Sequence, residues 1–320
     1  MNAKSINVNP INVKPVNRSP VINRKPVIAG VGEILWDMLP GGKKLGGAPA
    51  NFAYHAGELG CEAYIISSVG KDMLGDEIIA TLDLLGVSGR YIGIDDKHPT
   101  GTVEVQLGEG GIPSYIIHEN VAWDYIELSE ACLELAKKVD VICFGSLGQR
   151  SETSRNTILE VLGNTGSHCI KIFDINLRQH FYNREIICNS LEHANVFKLN
   201  EDELPIVSGL LGFDGNYGEV MRKLMNRFSL ELIALTRGER GSVILSGNAI
   251  SEHPGFKVKV VDTVGAGDAF TAAVAVGLMK KWDIDLINDF ANRVGSYVCT
   301  QEGGTPKLPA ELKEMVENMP

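Results

Sequence analysis

Short apolar runs alternate with longer segments of helical periodicity from residue 27 onward. Val27–Trp36, Ala63–Val69, Asp140–Phe144, Ile170–Phe173, Val196–Leu199 and Leu232–Leu235 are rich in β-branched and aromatic residues, the pattern of strands covered on both faces. Between them, Pro49–Leu59, Met73–Leu85, Leu128–Val139, Thr157–Leu162, Ala269–Met279, Ile284–Thr300 and Pro309–Met319 repeat their apolar positions as helices do. Glycine follows two of these directly, at Gly60 and Gly86, where a helix stop is expected. Strands and helices in alternation predict an α/β fold with a mostly parallel central sheet and helices on both faces, a three-layer arrangement. Two runs break the pattern. Thr102–Leu107 and Ser114–His118 alternate polar and apolar residues with period two around Gly108–Pro113, which predicts a β-hairpin with one covered and one wet face. Ser242–Leu245, Ala249–His253 and Phe256–Val260 read as further short strands.

Composition narrows the class. The chain has 320 residues, 44% hydrophobic and 22% charged, ordinary values for a globular protein with a substantial core. Its net charge of −10 argues against a nucleic-acid footprint. No apolar run reaches the roughly 18 residues of a membrane span, and a cytoplasmic protein is expected. The six cysteines, Cys61, Cys132, Cys143, Cys169, Cys188 and Cys299, are scattered without metal-ligand spacing and read as reduced thiols. Residues 1–26 stand apart: they are rich in Asn and Pro, carry five basic residues and no acidic one, and read as a disordered tail or a basic docking arm.

Candidate chemistry concentrates at Val260–Phe270. The run Asp262-Thr263-Val264-Gly265-Ala266-Gly267-Asp268 lies where a turn opens a helix. The first amides of that helix have no partner within it, and with the dipole they favour an anion. A carboxylate in such a place opposes a resting phosphate. It makes sense if Asp268 takes the proton from a hydroxyl about to attack phosphorus. A first-turn aspartate is also an ordinary cap, so this stretch alone leaves both readings open. Near the start, Gly30-Val31-Gly32 lacks the third glycine of a dinucleotide site, since Leu35 stands there, and no GxxxxGK[ST] occurs. Asp37 follows the first strand, and Gly46-Gly47-Ala48-Pro49-Ala50-Asn51 opens a helix with Asn51 in its first turn.

These two long motifs resemble the two signatures of the ribokinase family, the PfkB carbohydrate kinases, and Gly32–Asp37 looks most like the fructokinase branch. The resemblance covers about residues 27–317 and implies a ribokinase-like fold in which the hairpin at 98–120 is a lid over the sugar. It implies that Asp37 and Asn51 hold sugar hydroxyls, with Gly46 and Gly47 also in the substrate site and Arg178 of Asp174-x-Asn176-x-Arg178 approaching substrate or phosphate. Asp268 becomes the general base, and Gly265, Ala266 and Gly267 the anion hole. Asn200 and Glu203 match the family's Asn-x-x-Glu motif, tied to Mg²⁺ through water, although the same spacing is a capping box. Thr236, Gly238 and Gly241 match its nucleotide turn, where Arg237 or Arg240 could meet phosphate, and Asn292 the residue flanking adenine. Asp262 and Val264, with the loop around Gly303-Gly304, match a monovalent-cation site for which K⁺ is the candidate. The expected activity is ATP-dependent phosphorylation of a free sugar, fructose first, with ribose and 2-keto-3-deoxygluconate as rivals. The hairpin strands contain no Lys or Arg, which weighs against a phosphosugar. A sugar-sensing protein without turnover is the alternative of another class, and a homodimer through the lids is compatible with the fold.

Overall fold

The apolar runs become the strands of one large sheet. The computed structural model describes residues 24–39, 41–107 and 113–318; the tail up to residue 23 and the hairpin turn at 108–112 lie outside the described residues. In chain order the elements are β1 (Val27–Val31), β2 (Leu35–Leu39), β3 (Gly42–Gly46), α1 (Ala48–Glu58), β4 (Glu62–Gly70), α2 (Met73–Leu84), β5 (Ser88–Asp95), β6 (Thr102–Leu107), β7 (Pro113–Ile117), α3 (Glu130–Ala136), β8 (Val141–Phe144), α4 (Glu152–Gly163), β9 (Ile170–Asp174), α5 (Arg184–His193), β10 (Val196–Asn200), α6 (Glu203–Leu211), α7 (Tyr217–Phe228), β11 (Leu232–Thr236), β12 (Ser242–Ser246), β13 (Ala249–His253), α8 (Ala266–Met279), α9 (Ile284–Cys299) and α10 (Ala310–Asn318).

The large sheet runs β13-β12-β11-β10-β9-β8-β1-β4-β5. Its strands pair in parallel from β5 to β11, and only β12 and β13 are antiparallel. Alternate residues of each parallel strand feed opposite cores, which is why the runs look continuously apolar. Phe144, Phe173 and Phe197 point to the face covered by α3–α7, whereas Cys143, Ile172 and Val196 point to the face covered by α1 and α8–α10. The three phenylalanines stack across β8, β9 and β10 with centroids 5.3 and 5.5 Å apart, and burying each ring stabilises the fold by about 1.5–3 kcal/mol.

The hairpin forms as expected, with Val103 opposite Ile117 in an antiparallel β6–β7 ladder. It belongs to a larger element than the sequence suggested, a four-stranded sheet in the order β3-β2-β6-β7. Val27–Trp36 is therefore not one strand. The chain leaves the large sheet after Val31 and enters the small one at Leu35. Asp37 is consequently a residue of the small sheet and not of the loop after the first strand. The small sheet is anchored at Trp36, whose indole N–H donates to Leu74 O at 3.0 Å.

Candidate active site

The turn that opens α8 forms as a site for close approach. Gly265 is the N-cap with φ +75° and supplies no side chain to the helix amides. A β-carbon there would lie 2.4 Å from Gly304 O, so the 303–304 loop packs directly on the turn. Ala266 N donates to Thr263 O at 3.3 Å, whereas Gly267 lies in the first turn, where amides have no partner within the helix. Phe256–Val260, expected as a strand, has no ladder partner among the described residues, with Val258 39% and Val260 57% exposed. Alternation along the chain does not make a strand unless a neighbouring strand pairs with it.

Asp268 Oδ2 accepts a 2.8 Å hydrogen bond from Asn51 Nδ2, joining the two long motifs across 217 residues. Burial, and next the negative charge of Asp174, push the Asp268 carboxyl up to about 6, while Asn51, Lys198 and Arg178 act the other way. One turn after Asn51 on α1, His55 Nε2 meets Gly304 O at 2.9 Å. Burial lowers His55 to about 4, so the ring is neutral at physiological pH and Nε2 carries the donated proton. One face of α1 thus holds both the Asp268 carboxylate and the loop that packs on Gly265. Asp262 accepts from Val264 N at 3.1 Å and from Gly303 N at 3.0 Å, closing the same loop from the other side.

Asp37 faces this turn from the small sheet. A β-carbon at Gly46 would lie 2.5 Å from Asp37 Oδ2, so a glycine at that position is what admits the carboxylate. Gly47 follows as the N-cap of α1. Burial is the main reason the Asp37 carboxyl is pushed up to about 6; Arg178 lowers it and Asp262 raises it. Arg178 acts in the same sense on Glu33 and Asp268 and is the shared cation of the site. Lys44 stands opposite Asp37 in the β2–β3 ladder, hence on the same face of the small sheet, with Nζ 3.9 Å from Asp262 Oδ2. The small sheet therefore does present a lysine to the site. The hairpin strands alone did not show it, because β3 lies elsewhere in the chain.

Asn200 and Thr236 are register partners at the C-terminal ends of β10 and β11. Asn200 Oδ1 accepts from the amides of Asp202 and Glu203, and Glu203 Oε2 accepts from Asn200 N, which is the reciprocal capping arrangement. Glu203 Oε1 accepts from Leu177 N at 2.8 Å and so fixes the segment that carries Arg178. Thr236 leads into the turn at Gly238–Arg240, closed by Arg237 N donating to Gly241 O at 2.7 Å. Arg237 is occupied by Glu252, and Arg240 by Glu201. Asn292 is buried, and its Nδ2 is placed against Ser242 Oγ at 2.7 Å and Asn288 O at 2.8 Å, so it supports the residue that follows the turn.

Pattern reading missed Glu33, Lys198 and Thr271. Glu33 is buried, its Oε2 lacks a hydrogen-bond partner, and burial pushes its carboxyl up to about 7. The available signal was a charged residue inside or beside an apolar run, since such residues are rarely buried unless paired. A cleft of about 1200 Å³ lies away from these residues, at the N-terminal ends of β1, β4 and β9, and its lining includes Lys137, Lys138, Lys280 and Lys281. Those lysines follow α3 and α8 and complement the helix C-termini.

The sequence and the overall fold match those of known sugar kinases. The pfkB family carbohydrate kinase profile matches residues 41–311. This chain belongs to the pfkB family. It is 30% identical over 308 residues to a sugar kinase of Pyrococcus horikoshii, covering 90% of this chain and 95% of that protein. It is 28% identical over 297 residues to the fructokinase of Escherichia coli, covering 87% and 95%. The crystal structure of the uncharacterized Pyrococcus sugar kinase in complex with ATP superposes with a TM-score of 0.78 at 28% identity, over 90% of this chain and 99% of that one. As a pfkB carbohydrate kinase, the protein has its two sequence signatures where Asn51 and Asp268 meet. All six cysteines are free, and among the described residues no helix is long and apolar enough to cross a membrane.

Proposed function

We propose that the protein transfers the γ-phosphoryl group of ATP to a hydroxyl of a free sugar, with fructose the first candidate and Asp268 the general base. The observation that carries this is the Asn51–Asp268 bond, which fixes a partly buried carboxylate one residue beyond the Gly265–Gly267 turn. The sugar O–H gives its proton to Asp268 as the oxygen attacks the γ-phosphorus; the bond from phosphorus to the β,γ-bridging oxygen breaks and ADP leaves. The Gly267 turn faces the charge that develops on the moving group. Asp37 and Asn51 orient the sugar, and the small sheet excludes water that would compete for the phosphoryl group. Thr236, Gly238 and Gly241 border the nucleotide.

The donor set fits Mg²⁺ in an outer role. Asn200 Oδ1 and both Glu203 oxygens already accept backbone amides, so these residues would orient metal-bound water. Among the described residues no group of three His, Cys, Asp or Glu could cage a metal. When bound with ATP, Mg²⁺ neutralises charge on the β- and γ-oxygens. A K⁺ site would draw on backbone carbonyls around Asp262, Val264 and Gly303, since both Asp262 oxygens are engaged.

Fructose is supported by relatives named fructokinases from Escherichia coli and maize, each under 30% identical, and by the Gly32–Asp37 run. A second reading, a sugar acid such as 2-keto-3-deoxygluconate, is favoured by Lys44 beside Asp37, which could meet a carboxylate. ADP release measured with ATP and Mg²⁺ across fructose, ribose, ketodeoxygluconate, adenosine and fructose 6-phosphate decides between them. A lead for fructose upholds the first reading; a lead for the sugar acid that disappears in Lys44→Ala upholds the second. No turnover with any of them counts against a free-sugar kinase. Asp37→Asn should raise KM for the preferred sugar about 10- to 100-fold, the worth of a charged hydrogen bond, and leave KM for ATP unchanged. An unchanged sugar KM removes Asp37 from the sugar site.

A further inference from the structure

Lys198 is a charged residue inside β10, a strand buried on both faces, and is only 8% exposed. Its Nζ donates to Asp174 Oδ1 at 2.9 Å. The other oxygen of Asp174 accepts from Thr271 Oγ1 at 2.8 Å, and that hydroxyl lies 3.0 Å from Gly267 O. A β-carbon on Gly267 would stand 3.1 Å from Lys198 Nζ, so the ammonium group lies directly against the first turn of α8. Three elements, β9, β10 and α8, thus meet through one buried ion pair behind the turn that carries Asp268.

The charges explain why a cation is needed there. Asp268 is faced by Asp174 from β9, Lys198 from β10, Arg178 from the segment after β9, and Asn51 from α1. Glu33 from the segment after β1 and Cys143 from β8 also sense Asp268. Lys198 in turn senses Asp174, Glu203 and Asp268. Two carboxylates held as neighbours away from bulk water repel, and one of them takes up a proton unless a positive charge offsets the pair. A merely structural pair would not need to touch the helix that bears the base.

We propose that Lys198 is a positioning residue for phosphoryl transfer: its ammonium group, anchored on Asp174 beneath the first turn of α8, offsets the neighbouring charges of Asp174 and Asp268 and keeps Asp268 able to accept a proton. This rests on the reading of Asp268 as the base. The direction follows from the charges. Lys198 holds the Asp268 carboxyl down and Asp174 holds it up, so removing one or the other moves the acidic limb of activity in opposite senses.

The test is the pH dependence of kcat/KM for the preferred sugar in Lys198→Gln, Lys198→Arg and Asp174→Asn, with circular dichroism to confirm folding. Lys198→Gln should move the acidic limb up by about one unit, so that activity below the limb falls about tenfold more than activity at pH 8. Lys198→Arg should keep the wild-type limb, and Asp174→Asn should move it to lower pH. A loss in Lys198→Gln by one factor at every pH overturns the inference and leaves Lys198 a purely structural pair. If Lys198→Gln does not fold, Asp174→Asn decides, and an unmoved limb overturns it. An Asp268→Asn variant with normal turnover would sink the base reading itself. An inactive Asp268→Asn together with unmoved limbs in the other variants would sink only the role of Lys198.

Discussion

Asp268→Asn is expected to lower kcat at least about 10²-fold while leaving a folded protein. The amide keeps the shape and a partner for Asn51 but cannot take the proton of the attacking hydroxyl. The same substitution should stabilise the protein, and the sign can be worked out. Burial raises the carboxyl from 3.8 to about 6, so the folded chain holds this proton more tightly than the unfolded chain. Stability from that proton is fully present below 3.8 and is lost as pH rises through about 6. At pH 8 the wild type therefore carries a cost of at most about 3 kcal/mol that the variant avoids. Melting curves should show Asp268→Asn more stable than wild type at pH 8, with the advantage gone at pH 4. Activity within a few-fold of wild type would remove Asp268 as the base. A lower melting temperature at pH 8 would show that the Asn51 bond outweighs the cost of burial.

Gly265→Ala should be nearly as damaging to turnover, for a different reason. A residue with a side chain pays about 1–2 kcal/mol for the left-handed conformation, which Gly265 adopts with φ +75°. Its new methyl group would also lie 2.4 Å from Gly304 O and 2.6 Å from Gly304 Cα, so the loop must move. That movement pulls Gly304 from His55 and displaces the amide donors of the turn. Loss of donors of this kind costs about 10²–10³ in kcat. Because Asp37 and Gly46 lie on the small sheet, KM for the sugar should change little. Gly163→Ala, at a helix end with nothing within 4 Å of the new carbon, is the control and should behave as wild type. A Gly265→Ala enzyme with kcat near wild type would mean that the turn does not set the rate.

Both predictions rest on residues that the sequence exposed, and the fold shows why it could. Strands buried on both faces must be continuously apolar, so β1, β4, β8, β9, β10 and β11 are visible as runs, and their spacing implies the helices between them. The two signature motifs are local, each held within about ten residues, so Asn51, Gly265, Gly267 and Asp268 could be singled out. Elements without such a pattern were not found: β3 (Gly-Lys-Lys-Leu-Gly) and β5 have no clear alternation and are strands only because a neighbour pairs with them.

What tertiary structure decided was partnership. Nothing local says that Asn51 reaches Asp268, that His55 holds Gly304, or that Lys198 lies against Gly267, because each pair is far apart in the chain and meets only when α1, α8 and the parallel strands pack. The same packing decided that Asp37 belongs to the small sheet beside Lys44, that Asn292 faces inward, and that Phe256–Val260 pairs with no strand. The sequence by itself determined the class of fold, the family and the residues of the turn that opens α8, because periodicity and turn chemistry are local properties. The charges that tune that turn were decided by the fold alone, because electrostatic coupling depends on distance in space and not along the chain.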